Sequence, residues 1–245
     1  MSFDPTKVRL ERLKTDLHYH AAYNYLSLKG VLAERWAHGP IFGALADLGN
    51  QVKLTPESGF DKDRVEGMYG LRYSYFDREL VRDRKNTNEQ TLEWFGDVID
   101  VFDPRVITKV SIQYFALYPL SNIAAAESAT QKLRRHYYNE DKIDGLLPQG
   151  FDHNFVALDG LCLDHEREWH LVVGAVGPPH KGRFFGVADP QRDENWWMGL
   201  NFHLVRKNDE GLGDGDPMSV IENAMNDASA EYDRLVMQAL GSVLN

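Results

Sequence analysis

The sequence predicts an α+β fold: a mainly antiparallel sheet of about six strands, helices collected on one side, and a long helix at the C-terminal end. Three observations carry this reading. Residues 154 to 206 form a meander pattern, and in its last segment Trp196, Met198, Leu200, Phe202 and Leu204 alternate with Gly199, Asn201 and His203. Between 67 and 120 an aromatic strand, a capped helix and a long apolar strand follow one another. From Met218 to Val243, apolar residues recur every three or four positions, the seam of one amphipathic helix of roughly seven turns.

In chain order, the first 24 residues are polar with aromatic patches, and only Val8 to Leu13 alternates like a short strand. Tyr25, Leu28 and Leu32, with Val31 and Trp36 alongside, make a helical stripe that Gly39-Pro40 ends. An apolar patch from Ile41 to Leu48 stops at Gly49, and residues 50 to 66, with Pro56 and Gly59, read as a surface connection. Tyr69, Leu71, Tyr73 and Tyr75 alternate as one aromatic strand face. Thr87-Asn88-Glu89-Gln90 supplies a capping box for a helix with Leu92, Phe95, Val98, Ile99 and Phe102 inward, and Asp103-Pro104 stops it.

A strand with Val106, Val110, Ile112, Tyr114 and Tyr118 on one face follows and ends at Pro119. Ser121 or Asn122 caps the next helix, whose Ile123, Ala126, Leu133 and Tyr137 lie at helical spacing. The meander's other strands are Phe155 to Leu163 and Trp169 to Val176, with Arg183 to Val187 as a short fourth. Asp216 is a good N-cap and Pro217 a good first residue for the last helix. That helix is expected to cover the apolar side of the meander, the alternative being that its seam pairs with the same helix of another subunit. No composition shift marks a domain boundary, so the chain reads as one domain: an N-terminal part over 1–66, a strand and helix part over 67–140, and the meander with its helix over 151–245.

The 245 residues carry 27 Lys and Arg against 37 Asp and Glu, a net charge of -10, which argues against nucleic acid as the main partner. A single cysteine, Cys162, excludes an intramolecular disulfide framework and a multi-cysteine zinc site. No run approaches the length of a membrane span, and the polar N-terminus lacks a signal-peptide core, so a cytoplasmic protein is expected.

Candidate chemistry is sparse. Asp16-Leu17-His18-Tyr19-His20 places two imidazoles as a metal pair would need them, and Asp-x-His-x-His resembles the opening of amidohydrolase and related phosphoesterase barrels. Those barrels need repeated βα units, which an antiparallel chain lacks. Asp152-His153, Asp164-His165-Glu166 and His170 gather acids and imidazoles around the meander loops. The glycine run from Gly211 to Gly215 lacks the Lys-Ser/Thr of a phosphate loop and reads as a linker. No spacing singles out a Ser/His/Asp set. Trp197 shares a strand face with Asn201 and His203, and these three are the candidate partner-binding residues.

The run Ile112-Gln113-Tyr114-Phe115-Ala116-Leu117-Tyr118-Pro119 resembles a segment of a sporadically distributed, uncharacterised bacterial protein family of about this size. Its members carry approximately Val-Thr-Tyr-Val-Asn-x-Ile-Pro there. Tyr114 and Pro119 match, Ile112 is conservative, and Ala116 stands where the family has Asn. The resemblance spans roughly residues 67–240 and implies a fold, an antiparallel sheet with a late long helix, more than an activity. The sequence thus leads to a non-enzymatic, cytoplasmic binding or adaptor protein without a cofactor, engaging a protein partner or itself through its sheet and aromatic surface. Two alternatives stand beside it: a metal-dependent hydrolase using His18 and His20, and an RNA-processing protein of two ferredoxin-like halves.

Overall fold

A computed structural model describes residues 3–37, 41–56, 65–79, 81, 83–137, 155–161, 166–177, 195–213 and 216–245. The fold is α+β around one antiparallel sheet of nine strands, not about six. The chain runs β1 (Arg9–Tyr19), α1 (Tyr25–Ala37), β2 (Ala44–Asp47), β3 (Gln51–Thr55), β4 (Val65–Gly70), β5 (Tyr73–Glu79) and α2 (Arg84–Phe102). It continues with β6 (Ile107–Leu120), α3 (Ile123–Tyr137), β7 (Phe155–Leu161), β8 (Arg167–Val176), β9 (Trp196–Lys207) and α4 (Pro217–Leu235). The strand order is β2-β3-β4-β5-β1-β6-β9-β8-β7.

That order is nearly a mirror of itself. Each half opens with a long strand and a helix, runs through an antiparallel meander whose last strand pairs with the first, and closes with a second helix. The halves join where β1 pairs with β6, Asp16 opposite Ser111 and Leu13 opposite Tyr114.

The extra strands come from segments whose polar content hides their alternation. β1 extends to Tyr19 because Leu13, Leu17 and Tyr19 enter the core with Thr15, while Arg12, Lys14, Asp16 and His18 face the other way. Residues 51–55, expected to be a surface connection, form β3, with Val52 and Leu54 inward. The aromatic run expected as one strand is a hairpin: β4 ends at Gly70, β5 begins at Tyr73, and Tyr69 pairs with Ser74. Tyr69 is therefore in the core while Tyr73 and Tyr75 lie on the opposite face.

The helices cover one face. Trp94 of α2 meets Phe76, Tyr25 of α1 meets Tyr69, and Tyr232 of α4 meets Tyr114, with ring centroids 6.2, 6.4 and 4.9 Å apart. Trp169 of β8 donates from Nε1 to Glu231 of α4 at 2.8 Å, so the last helix packs on the sheet. Helix α4 starts as expected, Asp216 accepting from the Ser219 amide at 3.2 Å with Pro217 first. Its buried seam continues through a π turn over Val236–Leu240 into Gly241–Leu244.

Helix α2 starts three residues before the expected box. Asp83 is its N-cap, accepting from the Asn86 amide at 3.1 Å, and Thr87 is buried within the helix, donating to the Asp83 carbonyl at 2.8 Å. At its other end Asp103 holds the left-handed conformation, φ 49°. Asp103→Gly removes that steric penalty at some loss of chain restriction, and is expected to stabilise by about 0.5 kcal/mol, a Tm rise of about 1–2 °C in a thermal scan. A fall in Tm would mean that the Asp103 side chain holds this helix end. No helix of the described residues is long and apolar enough to cross a membrane. Cys162, Asp152, His153, Asp164, His165 and the expected strand over Arg183 to Val187 lie outside the described residues.

Candidate functional site

The second face of the sheet carries no helix among the described residues. It is built by the polar parity of its strands: Arg12, Lys14, Asp16 and His18 of β1, Tyr73 and Tyr75 of β5, Lys109, Ser111, Gln113 and Phe115 of β6, Asn201 and His203 of β9. Most are half-buried, because each leans on a cross-strand neighbour.

A hydrogen-bonded row crosses the middle. Tyr73 donates its hydroxyl to Asp16 Oδ1 at 2.6 Å, and Lys14 Nζ lies 3.5 Å from the same oxygen. Ser111 Oγ lies 3.5 Å from Asp16 Oδ2 and 2.7 Å from His203 Nε2. The Ser111 hydroxyl thus links the Asp16 carboxylate to the His203 ring. The His203 ring then faces that of His170, centroids 5.5 Å apart, and His170 Nδ1 lies 2.7 Å from Asp159 Oδ1. Beside this row, Gln113 donates to Asn201 Oδ1 at 3.0 Å.

Electrostatics follow from the packing. Burial, then repulsion from His170, pushes His203 down to about 4, so the imidazole is neutral near pH 7. His18 is lowered by burial and then by Lys109. The Tyr73 hydroxyl is pushed up by burial and by its bond to Asp16, which keeps it a donor. Asp16, Ser111 and His203 have the residue types of a hydrolytic triad, but Ser111 is only 2% exposed and held from both sides. It fastens β1, β6 and β9 together rather than presenting a nucleophile.

Toward the β3–β4–β5 end lies a cleft of about 310 Å³ lined by Arg12, Glu66, Asp77 and Glu79 with Thr55 and Val65. Its charges answer one another. Arg12 grips Asp77 through Nε at 2.8 Å and Nη2 at 2.5 Å, Lys53 meets Glu66 at 2.7 Å, and Tyr75 donates to Glu66. Lys14 lies 5.8 Å above the Tyr75 ring and Arg12 as far above Phe115.

Trp197, Asn201 and His203 do share this face, as alternation requires, but in different states. Trp197 is 6% exposed, packed with Leu117 and Val176, and the Arg9 guanidinium sits 5.6 Å above its ring. Asn201 and His203 are half-buried and engaged by Gln113 and Ser111.

The two N-terminal histidines have separate surroundings. His18 packs on Tyr73, centroids 4.7 Å apart, whereas His20 is exposed beyond the strand end with Nε2 3.3 Å from the Asp209 carbonyl. Among the described residues no three His, Cys, Asp or Glu side chains are grouped to hold a metal ion.

Sequence reasoning did not single out Tyr73, Lys109, Ser111 or Gln113 as site residues. The available signal was the polar parity of β1 and β6, which becomes informative only once these strands are known to pair. The chain matches no protein-family model and no curated protein.

Proposed function

We propose that the protein is a binding module that holds a protein partner against the face of its sheet on which the described residues place no helix. The observation that carries this reading is the face itself: its polar and aromatic side chains are fixed by their own hydrogen bonds before any partner arrives. Such pre-organisation lowers the ordering cost of association. Tyr73, Tyr75 and Phe115 offer ring surface, and Gln113 and Asn201 offer amides that keep further hydrogen-bonding capacity.

The charge pattern favours polypeptide over nucleic acid. Arg12, Lys14 and Lys53 are met by Asp77, Asp16 and Glu66 in turn, so a run of phosphates along a strand would find carboxylates beside these three cations. Binding is favoured over catalysis by the burial of Ser111 between Asp16 and His203.

The test compares capture by the wild type with capture by an Asn201→Arg, Phe115→Asp variant in affinity purification from the native host with mass spectrometry. The partner held by the wild type is expected to fall at least about tenfold, with an unchanged circular-dichroism melt. Equal recovery by both proteins, or no specific partner with either, sinks the reading. Trp197→Ala is a poorer probe, because its indole is packed inside the Leu117 and Val176 cluster.

A further inference from the structure

We propose that the open face carries an oxyanion site centred on Lys109, which receives a carboxylate or phosphoryl group of the protein partner. The inference rests on the binding role argued above and adds the chemistry of one contact.

The geometry comes from the ladder. On the open face Lys109 of β6 stands opposite His18 of β1 on one side and Lys207 of β9 on the other, and Ser111 follows it on the same face. Directly opposed residues have Cβ atoms about 5 Å apart, so these groups surround one spot. Two cationic chains facing each other across a ladder repel, and the neighbours relieve this by finding carboxylates. Lys207 bonds Glu168, Lys14 lies 3.5 Å from Asp16, and Lys53 lies 2.7 Å from Glu66. Lys109 has no ion pair among the described residues.

Its charge is nonetheless felt. Lys109 acts on both His18 and His203, opposing the gain of a proton, while Asp16 acts on both in the opposite sense. The other charged groups bearing on the spot are His170 and Lys14 toward His203, and Lys207 with its Glu168 across the ladder. Asp16 is already engaged by Tyr73, Ser111 and Lys14. The His18 ring, tilted 60° against Tyr73, makes no hydrogen bond within the described residues, and the register sets it directly opposite Lys109.

An oxyanion here accepts from Lys109 Nζ and from His18 and supplies the missing negative charge. In a chain of net charge -10 such a spot is also selective, since an acidic group is repelled by the molecule as a whole and attracted at this position.

The probes are inorganic phosphate and acetate, titrated at constant ionic strength against chloride while the amide resonances of residues 108–112 are followed by NMR. The expected result is a saturable shift in that segment, matched only around His18 opposite it, weakened about tenfold or more in Lys109→Gln and unchanged in Lys53→Gln. Saturation by phosphate alone assigns a phosphoryl group, and saturation by acetate as well assigns a carboxylate. No saturation by either, or equal saturation in Lys109→Gln, overturns the site.

Partner capture keeps the two readings apart. If Lys109→Gln holds the captured partner as tightly as the wild type while Asn201→Arg, Phe115→Asp loses it, the oxyanion site fails and the binding face stands. If the double variant also keeps the partner, the binding face itself fails.

Discussion

Trp94→Ala is expected to cost about 3–5 kcal/mol, a large share of the stability of a domain this size. Trp94 is fully buried on α2, and its ring meets Trp36 at 5.1 Å, Phe42 at 5.5 Å, Tyr69 at 5.9 Å and Phe76 at 6.2 Å. Its Nε1–H donates to Ser74 Oγ at 3.3 Å. The indole therefore ties α1, the segment before β2, both strands of the β4–β5 hairpin and its own helix into one aromatic knot. Room for it depends on Gly67, where an added Cβ would lie 2.9 Å from the indole and 2.8 Å from Phe42. The cavity left by alanine cannot collapse readily, because the surrounding rings brace one another. Urea denaturation measures the loss. A change below about 1 kcal/mol would show that the first half of the sheet holds without this knot.

Acidification from pH 6.5 toward 4 is expected to destabilise the protein by about 2 kcal/mol through His203, after allowance for the ring's remaining solvent contact. The sign follows from linkage. The folded-state value is pushed down to about 4, below the ordinary 6.5, so in this interval the unfolded chain takes up a proton that the folded one refuses. Stability is full above pH 6.5 and is lost as pH falls toward 4. The carboxylates of Glu168 and Glu231, held low by Lys207 and Arg234, add their own losses at lower pH. His203→Gln separates the contributions, since an amide can keep a hydrogen bond to Ser111 without titrating. Its stability curve should be flatter between pH 6.5 and 4, and a curve parallel to the wild type would assign the acid sensitivity elsewhere.

The meander and the last helix were legible because their apolar residues repeat without interruption: Met198, Leu200 and Phe202 on β9, Ile221, Met225, Ala228 and Tyr232 on α4. The central strand was largely illegible for a physical reason. On β1 the outward parity is Arg12, Lys14, Asp16 and His18, and one inward position is Thr15, so the strand is polar enough to pass for a loop. The hairpin of β4 and β5 was hidden differently, since the alternation of Tyr69, Leu71, Tyr73 and Tyr75 runs unbroken through the turn at Leu71-Arg72. Alternation reports spacing, not a reversal of direction.

The surface row was beyond reach for a third reason. Asp16, Ser111 and His203 are distant in sequence, and only the cross-strand register brings them together. Asn201 and His203 could be assigned a common face from one strand, but Lys109 opposite His18 required knowing which strands are neighbours.

The position of β1 in the sheet also dictates an order of assembly. Its two neighbours are β5 and β6, so Arg12 must wait for Glu79, and Leu13 for Tyr114, before either ladder can close. During synthesis β1 leaves the ribosome before β5 and β6 and stays unpaired with either until they have followed it. β6 in turn waits for β9 to reach its other edge. Such distant pairings make for slow folding, and they leave β1 exposed to wrong partners in the meantime, a span over which the charges of Arg12, Lys14 and Asp16 act as its protection.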